Sequence, residues 1–214
     1  MPTILPVQKS DLPDAANLLH TSKLALPINR LLYKNWPADA AQAEQCLNAV
    51  TGVFHNPTME SFKVVDPETK EMVAYLVLAR EKGKAVKWGD EVKTAKENTN
   101  ERFDERILEW VEKSSLSLRE DFAERDHFRI IYTCVEVSHR LHGIGSALVK
   151  LCIERAEAEG IPLLVTSEPE PLGFFNKLGF KEAKHCDIDL SVYAPVNSGF
   201  GVFRLTGLSW GIEV

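Results

Sequence analysis

No apolar run in this 214-residue sequence approaches the roughly 20 residues needed to cross a bilayer. The opening "MPTILPVQKSD" lacks a long apolar segment behind basic residues, so it does not resemble a secretion signal. The expectation is a cytoplasmic protein with no membrane partner. Cysteine is sparse: Cys46, Cys134, Cys152 and Cys186 are widely separated, form no C-x-x-C pair and sit inside apolar patterns. That spacing argues against a disulfide framework or a metal site and for buried free thiols. Positive charge is also short, with 25 Lys and Arg against 31 Asp and Glu and a formal charge of -6. A polyanion binder needs clustered cations, so no nucleic-acid partner is expected, and a neutral or cationic substrate suits the chain better. No repeat, low-complexity tract or strong shift in composition marks a boundary. Residues 1–214 therefore read as one domain, as a monomer or a homodimer, and 44% hydrophobic content is enough for a sizeable core.

What is present follows a strand and helix rhythm. "TILPVQ" reads as a first strand and "SDLPDAANLLHTSKLAL" as a helix with Ser10 or Asp11 as N-cap. "PADAAQAEQCLNAVTGVF" reads as a second helix with Pro37 at its start. "SFKVVD" and "EMVAYLVLAREK" flank a turn at 66–70 and predict an antiparallel hairpin. Residues 83–129 leave this rhythm. A Lys-rich stretch around Trp88, most simply a solvated loop, leads into a helical pattern with Phe103, Ile107 and Val111 at four-residue spacing. The segment reads as a loop-helix insertion, peripheral to the sheet. After it come the apolar strand "FRIIYTCVEV", a glycine turn, a helix closed by Gly160, the strand "PLLVTSE", a short helix "PLGFFNKLG" and the late strands "FKEAKHCDIDLSVY" and "GFGVFRLTGL".

The stretch "SHRLHGIGSALVKL", residues 138–151, carries the clearest chemistry. A glycine turn between a buried strand and a helix exposes backbone N–H groups at the positive end of the helix dipole, a natural place for an anion. Gly143 and Gly145 let a phosphate approach the main chain, and Arg140 and His142 add charge at the rim. The turn has no Gly-Lys-Ser/Thr end and no third spaced glycine, so it is neither a P-loop nor a dinucleotide fingerprint. On its own it is compatible with a turn that only tightens packing.

Two motifs in order narrow this further. "VEVSHRLHGIGSALVKL" resembles the acyl-CoA-binding segment of the GNAT superfamily of N-acyltransferases, in which Arg or Gln, two residues, Gly, one residue, then Gly or Ala follow a central strand. Arg140, Gly143 and Gly145 match it. About thirty residues on, "FFNKLGF" resembles the family's second signature, with Phe174, Phe175, Gly179 and Phe180 in place. The likeness is clearest over 128–181. Residues 83–129 have no matched counterpart, although elongated insertions there are similar to those of fungal members.

The resemblance implies an α/β (α+β) fold: a mixed, mostly antiparallel sheet of six to seven strands flanked by helices. It implies acetyl-CoA as co-substrate, its pyrophosphate on the amides of Leu141, His142, Gly143, Ile144, Gly145 and Ser146, and its pantetheine beside the strand holding Val135 and Val137. An amine then attacks the acetyl carbonyl directly, with no covalent enzyme intermediate. In many relatives the second aromatic of the later motif is a Tyr that protonates the departing thiolate. Here it is Phe175, which has no proton to give and keeps open the alternative of a noncatalytic acyl-CoA-binding or sensing module. Glu136 and Glu168 are the candidate general bases, each equally readable as a solvated strand-end carboxylate. Leu26, Ile28, Leu32, Tyr33 and Trp36, with "YAPVNSGFG", line an acceptor wall or pack as core; the sequence leaves both open. A small-molecule amine is the first expectation for the acceptor and a protein amine the second.

Overall fold

In a computed structural model of the chain, which describes residues 2–37, 39–83 and 102–211, seven strands form one sheet in the order β1-β2-β3-β4-β5-β7-β6. The strands are β1 (Ile4–Pro6), β2 (Met59–Val65), β3 (Met72–Glu81), β4 (His127–Val135), β5 (Leu163–Ser167), β6 (Lys181–Asp189) and β7 (Val202–Trp210). All neighbouring pairs are antiparallel except β4 and β5, which run parallel. A parallel pair needs a crossover, supplied by α5 (Ile144–Glu159). The mixed, mostly antiparallel sheet expected from the sequence is the one observed.

Three cores hold the helices to the sheet. On one face, α1 (Leu12–Leu24) and α3 (Asp39–His55) pack Leu18, Leu19, Val50 and Val53 against Tyr75, Val77 and Cys134. On the other, α5 and α6 (Leu172–Lys177) place Leu148, Val149, Cys152 and Phe175 against Leu76, Leu78, Ile130 and Val165. The centre of the sheet is β3, buried at every position from 72 to 79, as a strand covered on both faces should be. Cys46, Cys134, Cys152 and Cys186 are free, the first three buried.

The third core corrects the reading of 83–129 as peripheral. Its helix, α4 (Glu105–Ser117), sends Ile107 into a cluster with Phe103, Leu118, Leu190, Phe203 and Leu205. Ile28 and Leu32 of α2 (Pro27–Leu32), a short helix the sequence reading did not separate, join the same cluster, so these two residues are core. The Asp104 side chain caps α4 by accepting from the N–H groups of Arg106 and Ile107, and the Asp104 N–H donates to the Leu32 carbonyl at 2.8 Å. An amphipathic helix cannot stay peripheral when an uncovered β6–β7 face offers its apolar stripe a partner. Trp88 and the lysines from Lys84 to Lys96 lie outside the described residues.

Near its start β4 carries a charge cluster. Glu81 meets His127 Nε2 at 3.0 Å and also pairs with Arg129. Burial opposes the charge on Glu81, but the His127 hydrogen bond and the Arg129 cation outweigh it and bring its pKa down to about 2. No helix among the described residues is long and apolar enough to cross a membrane.

Candidate active site

The site is set by where β4 and β5 stop touching. Their pairing covers Phe128 with Leu163, Arg129 with Leu164 and Ile130 with Val165, and then ends. On the other side, β3 pairs Leu78 with Ile130 and Val77 with Tyr132, leaving Ile131 as an extra residue on β4. A bulge of this kind bends its strand and raises the local twist, which turns the second half of β4 away from β5. Meanwhile β5 stays with β7 through Thr166–Gly207 and Ser167–Thr206. The result is a gap between Tyr132–Val135 on one side and Thr166–Glu168 on the other.

Each side of the gap has its own chemistry. Directly paired residues share a face of the sheet, so Thr133 opposite Leu76 and Val135 opposite Ala74 face α5, while Tyr132 opposite Val77 and Cys134 opposite Tyr75 face α1. Thr133 Oγ1 is buried with no hydrogen-bond partner among the described residues. On the α1 side, Lys23 Nζ donates to Glu168 Oε1 at 2.8 Å. Burial pulls the Lys23 pKa down, but the Glu168 charge and hydrogen bond override it and the net shift is upward. Burial likewise pushes Glu168 up, and Lys23 reverses it. Both groups are therefore charged at neutral pH. Burial pushes the Cys134 thiol and the Tyr132 phenol up.

The glycine turn closes the far end of the gap. Leu141 and Gly143 adopt left-handed backbone, with φ of 65° and 79°, and α5 begins directly after them. The first bond into the helix is from the Ala147 N–H to the Gly143 carbonyl, at 3.0 Å. The N–H groups of Ile144, Gly145 and Ser146 precede it in the first turn, where a helix has no acceptors of its own. A Cβ on Gly145 would stand 3.5 Å from the Phe174 ring and 3.6 Å from Val135, so a larger side chain would crowd the groove between turn and ring. Leu141 and Val137 are exposed apolar residues beside the turn, and His142 is exposed. Arg140 Nε donates to the Val135 carbonyl at 3.2 Å, tying the exposed guanidinium to the end of β4.

The structure does not bring the two candidate bases together. Glu136 caps the short turn after β4, accepting from the Ser138 N–H at 3.0 Å and from the Ser138 hydroxyl, and meets His139 Nδ1 at 3.0 Å. His139 Nε2 in turn lies 3.2 Å from Asp66 in the β2–β3 hairpin. The Ser138 and His139 hydrogen bonds hold the Glu136 pKa down. Glu168, by contrast, directly follows β5 at the gap. Phe175 is 4% exposed and packs edge-on between Phe174 and Phe180; the ring against Gly145 is Phe174. Lys23, Thr133 and Phe174 were not singled out as site residues from the sequence. Lys23 reads there as an ordinary helix-end cation, and only Phe174 carried a signal, as the first ring of the later motif.

A split parallel strand pair beside a glycine turn that opens a helix defines the class of the fold, an α/β protein with a gap leading to free backbone N–H groups. A family model described as an acetyltransferase (GNAT) domain matches residues 89–186, which extends the likeness into the insertion that had no matched counterpart. No curated protein matches the chain in sequence. Among solved structures, arylalkylamine N-acetyltransferase 2 from Aedes aegypti superposes with a TM-score of 0.68 at 15% identity, over 99% of each chain. A histone acetyltransferase HPA2 and related acetyltransferase from Corynebacterium glutamicum gives 0.62 at 18% identity, over 100% of this chain and 97% of that one. NAA60 from Arabidopsis thaliana, in complex with acetyl-CoA, gives 0.55 at 13% identity, over 98% of each. The fold is thus that of the GNAT acetyltransferases, and the acetyltransferase (GNAT) domain model covers just under half of the chain.

Proposed function

We propose that this enzyme transfers an acetyl group from acetyl-CoA to a small-molecule amine by direct attack within a ternary complex. The observation that carries the reading is the gap that opens past Ile130 and Val165, with the Gly143 turn at its end. Pyrophosphate rests on the amides of residues 141–146, with Arg140 at the rim. Pantetheine runs along Val135, where Thr133 Oγ1 offers an unused hydrogen bond. The thioester then lies in the gap. The amine nitrogen bonds to the acetyl carbon, the C–S bond breaks, one proton leaves the nitrogen and one reaches the thiolate.

Glu168 stands at the gap and Glu136 does not, so of the two candidate bases we assign the proton-accepting role to Glu168, directly or through water. A covalent acyl-cysteine route is disfavoured, because burial keeps the Cys134 thiol protonated. A cavity of about 220 Å³ lies where α2 meets the loop before β7, lined by Pro27, Arg30, Leu190, Phe200 and Phe203. None of the gap residues lines it, so its size does not bear on the choice between a small amine and a protein chain. Neither Phe174 at the turn nor the buried Phe175 has a hydroxyl to give a departing thiolate, and this favours the second reading of a noncatalytic acyl-CoA binder.

Release of CoA thiol across a panel of amines separates the two readings: turnover with any amine supports the enzyme, and tight CoA binding without turnover supports the binder. In either case CoA at a hundred times its Kd is expected to add about 2.7 kcal/mol to folded-state stability in thermal melts, and ATP and NAD markedly less.

A further inference from the structure

Lys23 and Glu168 are 145 residues apart in sequence and meet at one place, the mouth of the gap between β4 and β5. The backbone at each end is fixed. The Lys23 carbonyl accepts from the Asn29 side-chain amide at 2.7 Å, with Asn29 buried, and the Glu168 carbonyl accepts from the Ser167 hydroxyl at 2.8 Å. The side chains differ. Glu168 is 24% exposed and short, whereas Lys23 is 40% exposed on a flexible four-carbon stem. Its ammonium also acts electrostatically on Tyr132 and Cys134 of the open half of β4 and on Tyr33 and Cys46 behind them. Lys23 thus carries a primary alkylammonium to the place where an amine acceptor would enter.

We propose that Glu168 is the ammonium subsite for the acceptor, and that Lys23 is an internal cation that fills it until a primary alkylammonium displaces it. The inference rests on the acyl-transfer reading for the identity of the incoming amine. Half-exposed ion pairs add little to stability, so this one opens readily. A half-buried carboxylate without a partner is costly, so Glu168 favours exchange of one ammonium for another over standing empty. Once bound, the acceptor ammonium passes a proton to Glu168 or to water, and the free amine attacks the thioester. Lys23 then acts on specificity. If it holds Glu168 for about nine-tenths of the time, the apparent affinity for a cationic acceptor is lowered about tenfold.

Two measurements test this. In the first, protein with ε-¹³C-labelled lysine and saturated with CoA is titrated with n-butylammonium chloride, with sodium chloride at equal ionic strength as control. The Lys23 ε-methylene signal, assigned by its loss in Lys23→Met, is expected to shift with n-butylammonium only, and Glu168→Gln to place it at the displaced position from the start. In the second, thiol release from acetyl-CoA is compared at neutral pH for n-butylamine, which is cationic, and aniline, which is neutral. The cationic-to-neutral ratio of kcat/KM is expected to rise about tenfold in Lys23→Met and to fall at least tenfold in Glu168→Gln. A Lys23 signal that ignores n-butylammonium, or an unchanged ratio in Lys23→Met, overturns the subsite. A Lys23 signal that responds, with no thiol release from any of the three proteins, supports the subsite and overturns acyl transfer instead.

Discussion

The two halves of β4 have similar sequences and opposite uses. The first half, through Ile130, lies between β3 and β5 and is sealed, with His127, Phe128 and Ile130 buried. The second half, from Tyr132 to Val135, keeps β3 and loses β5, and of its four residues only Cys134 is fully buried. "HFRI" and "YTCV" both carry β-forming residues, and the His127 and Arg129 of the first do not by themselves mark it as the sealed half. The difference is one extra residue, Ile131, which bends the strand. A strand without its neighbour has become a groove, and the Thr133 hydroxyl along it has no hydrogen-bond partner among the described residues.

Breaking the sealed half should cost stability above all. Ile130→Ala removes a side chain that is 3% exposed and should destabilise by about 2–5 kcal/mol in chemical denaturation, while calorimetry finds CoA affinity within a few-fold of the parent. Acid should act on the same half. The pKa of Glu81 is about 2 in the folded chain against 4.5 for an ordinary glutamate side chain. A depressed folded pKa gives stability that is full above the unfolded value and is lost as pH falls through the folded one. About 3 kcal/mol should therefore disappear between pH 4.5 and 2, and a pH series of unfolding curves should show a smaller loss in Glu81→Gln.

Breaking the open half should cost binding instead. Gly145→Val puts methyl groups between Phe174 and Val135, beside the proposed phosphate position, and should weaken acetyl-CoA about a hundredfold or more by calorimetry with little change in melting temperature. Equal affinity in the variant would remove the turn from the site. Phe175→Tyr tests which half that ring serves. Packed between Phe174 and Phe180, a new hydroxyl finds apolar neighbours, and the variant should lose about 1–3 kcal/mol with no gain in kcat. A raised kcat would instead put the ring at the CoA sulfur, as the motif resemblance implies. The smallest effect should come from Thr133→Val, which deletes the unpartnered hydroxyl at nearly constant volume. Apo stability should hold or rise, while CoA affinity falls about threefold to tenfold, the worth of one hydrogen bond.

Local features were legible wherever a short stretch determines its own geometry. Gly160 ends α5 in left-handed backbone, as a glycine after a helical stripe should, and residues 66–70 turn the β2–β3 hairpin. The Gly143–Gly145 spacing was legible as a strand-to-helix turn because φ at Gly143 needs a glycine and a helix follows it directly. Asp11 was less legible. It stands at the α1 N-cap, but its carboxylate takes the Gln8 N–H and Lys63 Nζ, a strand residue 52 positions away, and makes no cap bond. The insertion misled for the same reason: its helix was visible in the spacing of Phe103 and Ile107, but its place in a core depends on α2 and β7.

By itself, then, the sequence determined the order of the strands and of most helices and the glycine turn that opens α5, because each rests on residues within one turn or one motif of each other. Only the tertiary structure decided that β4 opens at Ile131, that Glu168 rather than Glu136 faces the gap, that Phe174 rather than Phe175 lies on the turn, and that Lys23 reaches Glu168. Each of these is a meeting of segments far apart in the chain, set by strand register and helix packing, and no local spacing encodes which side chains such a meeting brings together.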